Sequence, residues 1–402
     1  MKDRHTRAVF KALDDFTIEL PSWGFADTGT RFGKFFQDAA ASTTEEKFHD
    51  AGLVHALTGA CPKVGVHVLW DFQSDQDPRE VRKMARAHGI QIGSINPNVF
   101  QDSHYKLGSF CSPQPKARAA AMAHTLESVK IGRAVSSKAL TMWIADGTNY
   151  PGQDNFARRK HDLQKAYRRI HGAMQRSWPG AKLLIEYKPF EPSFYHTDIA
   201  DWGTAYVLAK HAGPRAKVLV DTGHHLQGTN VEHIVSILLD ENMLGGFHFN
   251  DRKYADDDLT MGSIDPYAVF RIFDQIAQYS FDTGRSPDID YMVDQSHNLK
   301  PKLEAMVQTV MDAQTLYAKA HLVDRKALAR AQAKGDIVLG ERLLRDAFET
   351  DTRPMVAAWR RRAKLPPDPL EALRSSGTIT RLGRERAAAR RARGEAPATS
   401  YA

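Results

Sequence analysis

Eight short runs rich in β-branched and aromatic residues recur along the chain, and most are followed by a stretch of helical composition. They span residues 16–20, 64–72, 90–98, 139–146, 182–190, 216–225, 245–251 and 288–297. This is the βα rhythm of a parallel sheet, whose strands need a crossover, usually a helix, between them. Eight such units point to a closed (β/α)8 TIM barrel rather than an open sheet. A chain of 402 residues is long for one domain, but barrels of about 250 residues or more fold as single units. After about residue 300 the pattern is helical to the end, broken near Pro354 and in the Pro-rich segment 365–369. Residues 1–320 are therefore assigned to the barrel and 321–402 to a C-terminal helical extension. Its Arg-rich last stretch, 381–402, is expected to be a frayed or disordered, solvated tail.

The extension also holds the charge. Residues 351–402 carry twelve Lys/Arg against five Asp/Glu, which accounts for the whole net charge of +7 and leaves the body neutral. A nucleic-acid-binding body should carry a basic face, so no nucleic-acid partner is expected. Cys61 and Cys111 suit neither a disulfide framework nor a zinc spacing and read as free thiols in a reducing compartment. The first twenty residues carry charges throughout, with no apolar signal core. No run of about 18 apolar residues occurs. A cytoplasmic protein with no membrane partner is the expectation.

The second to eighth runs turn polar at or near their C-terminal ends, the face on which barrels build active sites. The fourth ends in Trp143-Ile-Ala-Asp146, the sixth in Asp221-Thr-Gly-His224 and the eighth in Asp294-Gln-Ser-His297. Carboxylates and imidazoles gathered at one end of apolar strands are costly to bury without a purpose. In Glu186-Tyr-Lys188 the acid and the amine share one strand face, either as an ion pair or as a metal ligand beside a substrate-binding lysine. Gly223 permits a sharp turn that swings His224 back toward Asp221, with His225 as the alternative ligand. His248 alternates with Phe247 and Phe249, so it faces the lumen while they face out. In an extended Asp256-Asp257-Asp258 segment the outer two carboxylates share one side and suit a hard cation, and Asp257 faces away. Asp294 is a ligand or a loop cap. Five carboxylates and two histidines, with no thiolate, favour a hard or borderline six-coordinate ion. Mn²⁺ leads, with Mg²⁺, Co²⁺ or Zn²⁺ as alternatives, and two divalent ions together with Lys188 would balance the five acids. No G-x-G-x-x-G follows a strand, so no nicotinamide is expected.

Taken in order, Glu186-x-Lys188, Asp221-x-x-His224, His248, Asp256-x-Asp258-Leu-Thr-Met-Gly262 and Asp294 resemble the ligand pattern of the xylose isomerase-type sugar isomerases. Asp221 as the acid and His248 as the further ligand resemble most the L-rhamnose isomerases of the Pseudomonas type, as do segments 95–98 and 143–150. The resemblance covers roughly residues 10–350. It implies a metal-dependent aldose–ketose isomerase that converts L-rhamnose to L-rhamnulose by a metal-assisted 1,2-hydride shift. An enediol route stays open, as does another sugar such as D-allose or D-psicose. Glu186, Asp221, His248 and Asp294 would hold a substrate-anchoring ion. Asp221 would bridge to a second, more mobile ion also held by His224, Asp256 and Asp258. Catalytic roles fall to Lys188, Asp294 and His67. Lys188, His67, Trp70 and Trp143 would bind the sugar, although His67 and the two indoles also suit a buried core. The loop 24–32 would cover the pocket or reach a neighbouring subunit, and the family's usual assembly implies a homotetramer.

Two other classes compete. A metal-dependent endonuclease on a similar barrel should have a basic body, and an epimerase needs two opposed carboxylate bases, of which only Glu186 stands out. A non-catalytic sugar-binding barrel would not require D-x-D and D-x-x-H together.

Overall fold

The computed structural model describes residues 2–30, 33–191, 194–254 and 256–394. Its main sheet takes eight strands in chain order. They are β1 (Leu20–Pro21), β2 (Lys63–His67), β3 (Gln91–Asn96), β4 (Ala139–Met142), β5 (Lys182–Glu186), β6 (Ala216–Asp221), β7 (Leu244–Phe249) and β8 (Asp290–Val293). All seven neighbouring pairs are parallel. The Glu19 N–H donates to the Tyr291 carbonyl at 2.8 Å and the Val293 N–H to the Glu19 carbonyl at 2.9 Å. This parallel bridge joins the two edges and closes the (β/α)8 barrel.

Helix α1 (Lys2–Asp15) precedes the barrel. The helices that follow β1 to β8 in turn are α2 (Thr44–Thr58), α3 (Pro78–Ala87), α4 (Pro115–Val135), α5 (Phe156–Ser177), α6 (Trp202–Ala212), α7 (Val231–Asp240), α8 (Pro266–Thr283) and α9 (Lys302–Ala320). Their starts are written locally. Asp77 and Asp265 cap α3 and α8, each followed by a proline at the first helical position, and α2 opens on a Thr43–Glu46 capping box.

Each of the eight runs supplies a strand, and the polar C-terminal end of each run from the second to the eighth leaves the sheet. The run 64–72 is the plainest case. It stays extended to His67 and then makes one helical turn, Val68–Asp71. The buried Asp71 carboxylate dictates this turn, accepting from the His67 N–H at 3.0 Å, Ser22 Oγ at 2.6 Å and Lys47 Nζ at 2.8 Å. Alternation sends Val218, Val220, Phe247 and Phe249 outward into the core under the helices. Ala139, Leu184, Leu219 and Met292 form a buried apolar cluster of their own among the strands.

Beyond the barrel run α10 (Arg325–Ala333), α11 (Ile337–Glu349), α12 (Arg353–Arg362), α13 (Pro369–Ser375) and α14 (Thr378–Ala392). Leu328, Ala347, Leu373 and Leu382 join the main core. The stretch expected to fray is therefore helical and docked as far as it is described. Arg386 is buried and pairs with both oxygens of the buried Asp50, at 2.7 and 2.8 Å. Residues 395–402 of that stretch lie outside the described residues. Among the described residues no helix is long and apolar enough to cross a membrane.

Candidate active site

The ends of β5, β6 and β7 and the first residue after β8 bring Glu186, Asp221, His248 and Asp294 together. Each offers one ligand atom, and these atoms lie within 4.8 Å of one another. Glu186, Asp221 and His248 are buried. His248 Nδ1 is buried, 3.2 Å from Glu186 Oε1 and 3.7 Å from Asp294 Oδ2, and among the described residues it makes no well-aligned hydrogen bond. A buried imidazole nitrogen aimed between carboxylates is the arrangement that a shared cation satisfies.

His224, in the turn after β6, extends the cluster. Its Nδ1 lies 3.0 Å from the Tyr187 carbonyl, and its Nε2 faces Asp256 Oδ1 at 3.2 Å and Asp221 Oδ2 at 3.9 Å. An Nδ1–H held by a main-chain carbonyl leaves Nε2 as the free ligand atom. His225 turns away, with Nε2 2.6 Å from the Tyr187 hydroxyl. Gly223 serves close approach rather than a left-handed turn, since a Cβ there would come within 2.4 Å of Asn250 Oδ1. Asn250 in turn donates to both Asp221 oxygens, at 3.0 and 3.2 Å.

Asp256 and Asp258 line the same cavity from the loop after β7. This loop is not the extended segment the sequence suggested, because Asp258 stands at φ 47° in the left-handed region. Asp tolerates that conformation, and such outliers cluster at functional sites. Asp257 does face away, capping the Lys253 and Tyr254 N–H groups.

The electrostatics follow from the crowding. Burial pushes Asp221 up to about 7, and Glu186, Asp294 and Asp256 add to it against the opposing His224. Burial also lifts Asp258 and Asp294, helped by neighbouring carboxylates. For His248 burial works downward, but Glu186, Asp294 and Asp221 outweigh it and raise the ring to about 10. His224 is raised to about 9 in the same way by Asp221, Asp256 and Glu186. A site that favours protonated carboxylates and charged histidines is short of positive charge, which bound divalent cations would supply. The residues present fit such ions.

Lys188 lies just past β5. Its Nζ meets Glu191 and Asp256, each at 2.5 Å, and lies 5.3 Å from the Trp143 ring centre. Opposite the acids stands an aromatic wall. The His67 ring centre is 4.0 Å from Trp70 and 4.8 Å from Trp23, and Phe100 is 4.8 Å from Trp143. His67 Nδ1 and Trp143 Nε1 are buried without hydrogen-bond partners among the described residues. Burial first, then His248 and Lys47, holds His67 at about 3, so its ring is neutral. The cavity opens to solvent on one side and measures about 260 Å³, below the roughly 300–1,000 Å³ of pockets for drug-sized ligands.

The family described as xylose isomerase-like TIM barrel matches residues 63–281. The chain is 38% identical over 386 residues to a probable sugar isomerase of Mesorhizobium japonicum, covering 95% of this chain and 88% of that one. A probable sugar isomerase of Rhizobium meliloti is likewise 38% identical over 386 residues, at 95% and 89% coverage. The chain belongs to the xylose isomerase-like TIM barrel family. Among solved structures, the fold is similar to that of 3-keto-D-glucoside 4-epimerase from E. coli. That similarity has a TM-score of 0.53 at 13% identity and covers 74% of this chain and 98% of that one.

Within this family member, two residues of the polar ends lie apart from the cluster. Asp146 accepts from the N–H groups of Ser109 and Cys111, at 2.7 and 2.8 Å, and His297 sits beside Gln295 and Thr260. Three site residues escaped the sequence reading. Asn250 was findable, two residues after His248 on the same strand face. Glu191 sits one helical turn's length from Lys188 in a Pro-flanked loop. Trp23, whose indole N–H donates to Asp294 Oδ1 at 2.9 Å, had no local signal.

Proposed function

We propose that the chain is a metal-dependent aldose–ketose isomerase, with L-rhamnose as the aldose and L-rhamnulose as the ketose. The observation that carries the proposal is the convergence of Glu186, Asp221, His248 and Asp294, each offering one ligand atom to the same point. Those four residues would hold one divalent ion, and Asp221, His224, Asp256 and Asp258 a second, with Mn²⁺ the ion favoured by the oxygen-rich donor set. Bound there, the ions supply Lewis acidity toward the O1 and O2 oxygens of an open-chain sugar.

The chain's own groups do the rest. Isomerisation moves one hydrogen between C1 and C2 with no net oxidation, so no redox cofactor is required. Lys188, held protonated well above its ordinary range by Asp256 and Glu191 against the opposing effect of burial, would donate to the charge developing at O1. His67, neutral and with a free buried Nδ1, would bond a sugar hydroxyl. Trp143 and Trp70 would cover the apolar face of the sugar. Trp23 anchors Asp294 by its indole N–H. The choice of L-rhamnose rests on the motif resemblance at Asp221, His248 and segments 95–98 and 143–150, and so does a homotetrameric assembly.

A panel of L-rhamnose, L-lyxose, L-mannose and D-allose, assayed with Mn²⁺ and with each ketose identified by chromatography, tests the substrate. The highest kcat/KM is expected for L-rhamnose. A clear preference for another aldose would displace L-rhamnose as the substrate and keep the isomerase.

A further inference from the structure

The turn Gln37–Ala40 follows β1 and presents its carbonyls toward α14. Arg390 donates to the carbonyls of Gln37 at 3.3 Å, Asp38 at 2.7 Å and Ala40 at 3.3 Å, and it stands 3.8 Å from the Asp27 carboxylate. One turn earlier, Arg386 donates to the Ala39 carbonyl at 2.6 Å while paired with Asp50. The helix comes close there, since a Cβ on Gly383 would lie 3.5 Å from Asp38 Cβ. Four consecutive carbonyls of a loop thus find their donors in two arginines more than 340 residues away.

That turn is tied to the cavity. The Ala41 N–H donates to the Phe25 carbonyl at 2.9 Å, pairing it beside the turn that carries Trp23. The Gln37 N–H donates to Asp27, and Gln37 Nε2 donates to the carbonyls of Asn298 and Lys300 in the loop after Asp294. Trp23 touches His67 and bonds Asp294.

We propose that α14 is a strap that fixes the segment after β1 at the mouth of the cavity, with Arg390 as the positioning residue that sets the place of Trp23. Its kinetic consequence rests on the isomerase reading; the strap itself does not. Arg390 is the residue to change, because its side chain is 16% exposed, whereas removing Arg386 strands a buried carboxylate and risks the fold.

In the full chain, Arg390→Ala should speed hydrogen exchange in peptides covering 34–42 by about tenfold and leave α2 unchanged. The indole N–H resonance of Trp23, assigned by its loss in Trp23→Phe, should shift. KM for the aldose should rise more than kcat falls, with Arg390→Lys intermediate and Arg384→Ala, on the same helix, like the parent. Unchanged exchange and an unmoved indole resonance would overturn the strap. Faster exchange with an unmoved indole and an unchanged KM would overturn the positioning role. If the parent chain turns over no aldose, the isomerase reading fails and the exchange and indole measurements still decide the strap.

Discussion

Asn250 holds Asp221 with two hydrogen bonds and is not itself in the ligand set. Asn250→Ala is therefore expected to weaken metal binding or activity by about 10- to 100-fold, the usual cost of losing an outer partner. A direct metal titration checks it, and unaltered affinity would remove Asn250 from the site. In the proposed two-ion site, Asp256→Asn removes one carboxylate from the second ion alone, so one of two bound equivalents should weaken while the other keeps its affinity. A residue far from this chemistry gives a pH test. Burial lifts the Asp312 carboxyl from its ordinary 3.8 to about 6, against the pull of Lys300. Between those values the folded chain holds more protons than the unfolded one, so this group's contribution to stability falls as pH rises through about 6. At pH 8 the ionised carboxylate costs about 3 kcal/mol. Asp312→Asn should raise Tm at pH 8 and lose that advantage by pH 4; an equal gain at both would refute the burial account.

At the scale of elements, the strands were legible because period-2 alternation and β-branched composition are local signals. Their ends were not. Residues such as Asp71 and Lys188 look continuous with their strands, yet they leave the sheet to reach partners that only the closed barrel supplies. The metal-site candidates were readable for a related reason. His248 between two phenylalanines and acids at strand ends are exceptions to apolar runs. Trp23 is one more apolar residue in its neighbourhood. The arginines of α14 were misread because composition reports solvation cost and not long-range pairing, and Arg386 finds Asp50 336 residues away. Arg386→Met should cost about 3–5 kcal/mol, because it leaves the Asp50 carboxylate buried without its guanidinium. Urea unfolding measures this, and a loss below about 1 kcal/mol would mean the pair is solvated.

At the scale of the molecule, a barrel turns eight separate strand ends into one ring, so residues scattered from Glu186 to Asp294 share a cavity. The neutral body and the docked basic extension divide the labour between chemistry and scaffold. The crowded carboxylates at the barrel's C-terminal face outnumber the cationic side chains beside them, so metal removal should lower Tm, and added Mn²⁺ should restore it in a concentration-dependent way.

If this ring isomerises an aldose through bound metal, its activity must follow its metal content. Protein stripped with EDTA and the same sample after Mn²⁺ is restored are compared for conversion of L-rhamnose and the other aldoses of the panel, with bound metal counted per chain. No ketose is expected from the stripped protein, and ketose should form once two ions are bound. Turnover that survives complete metal removal, or no turnover of any aldose with both ions in place, would contradict metal-dependent isomerisation.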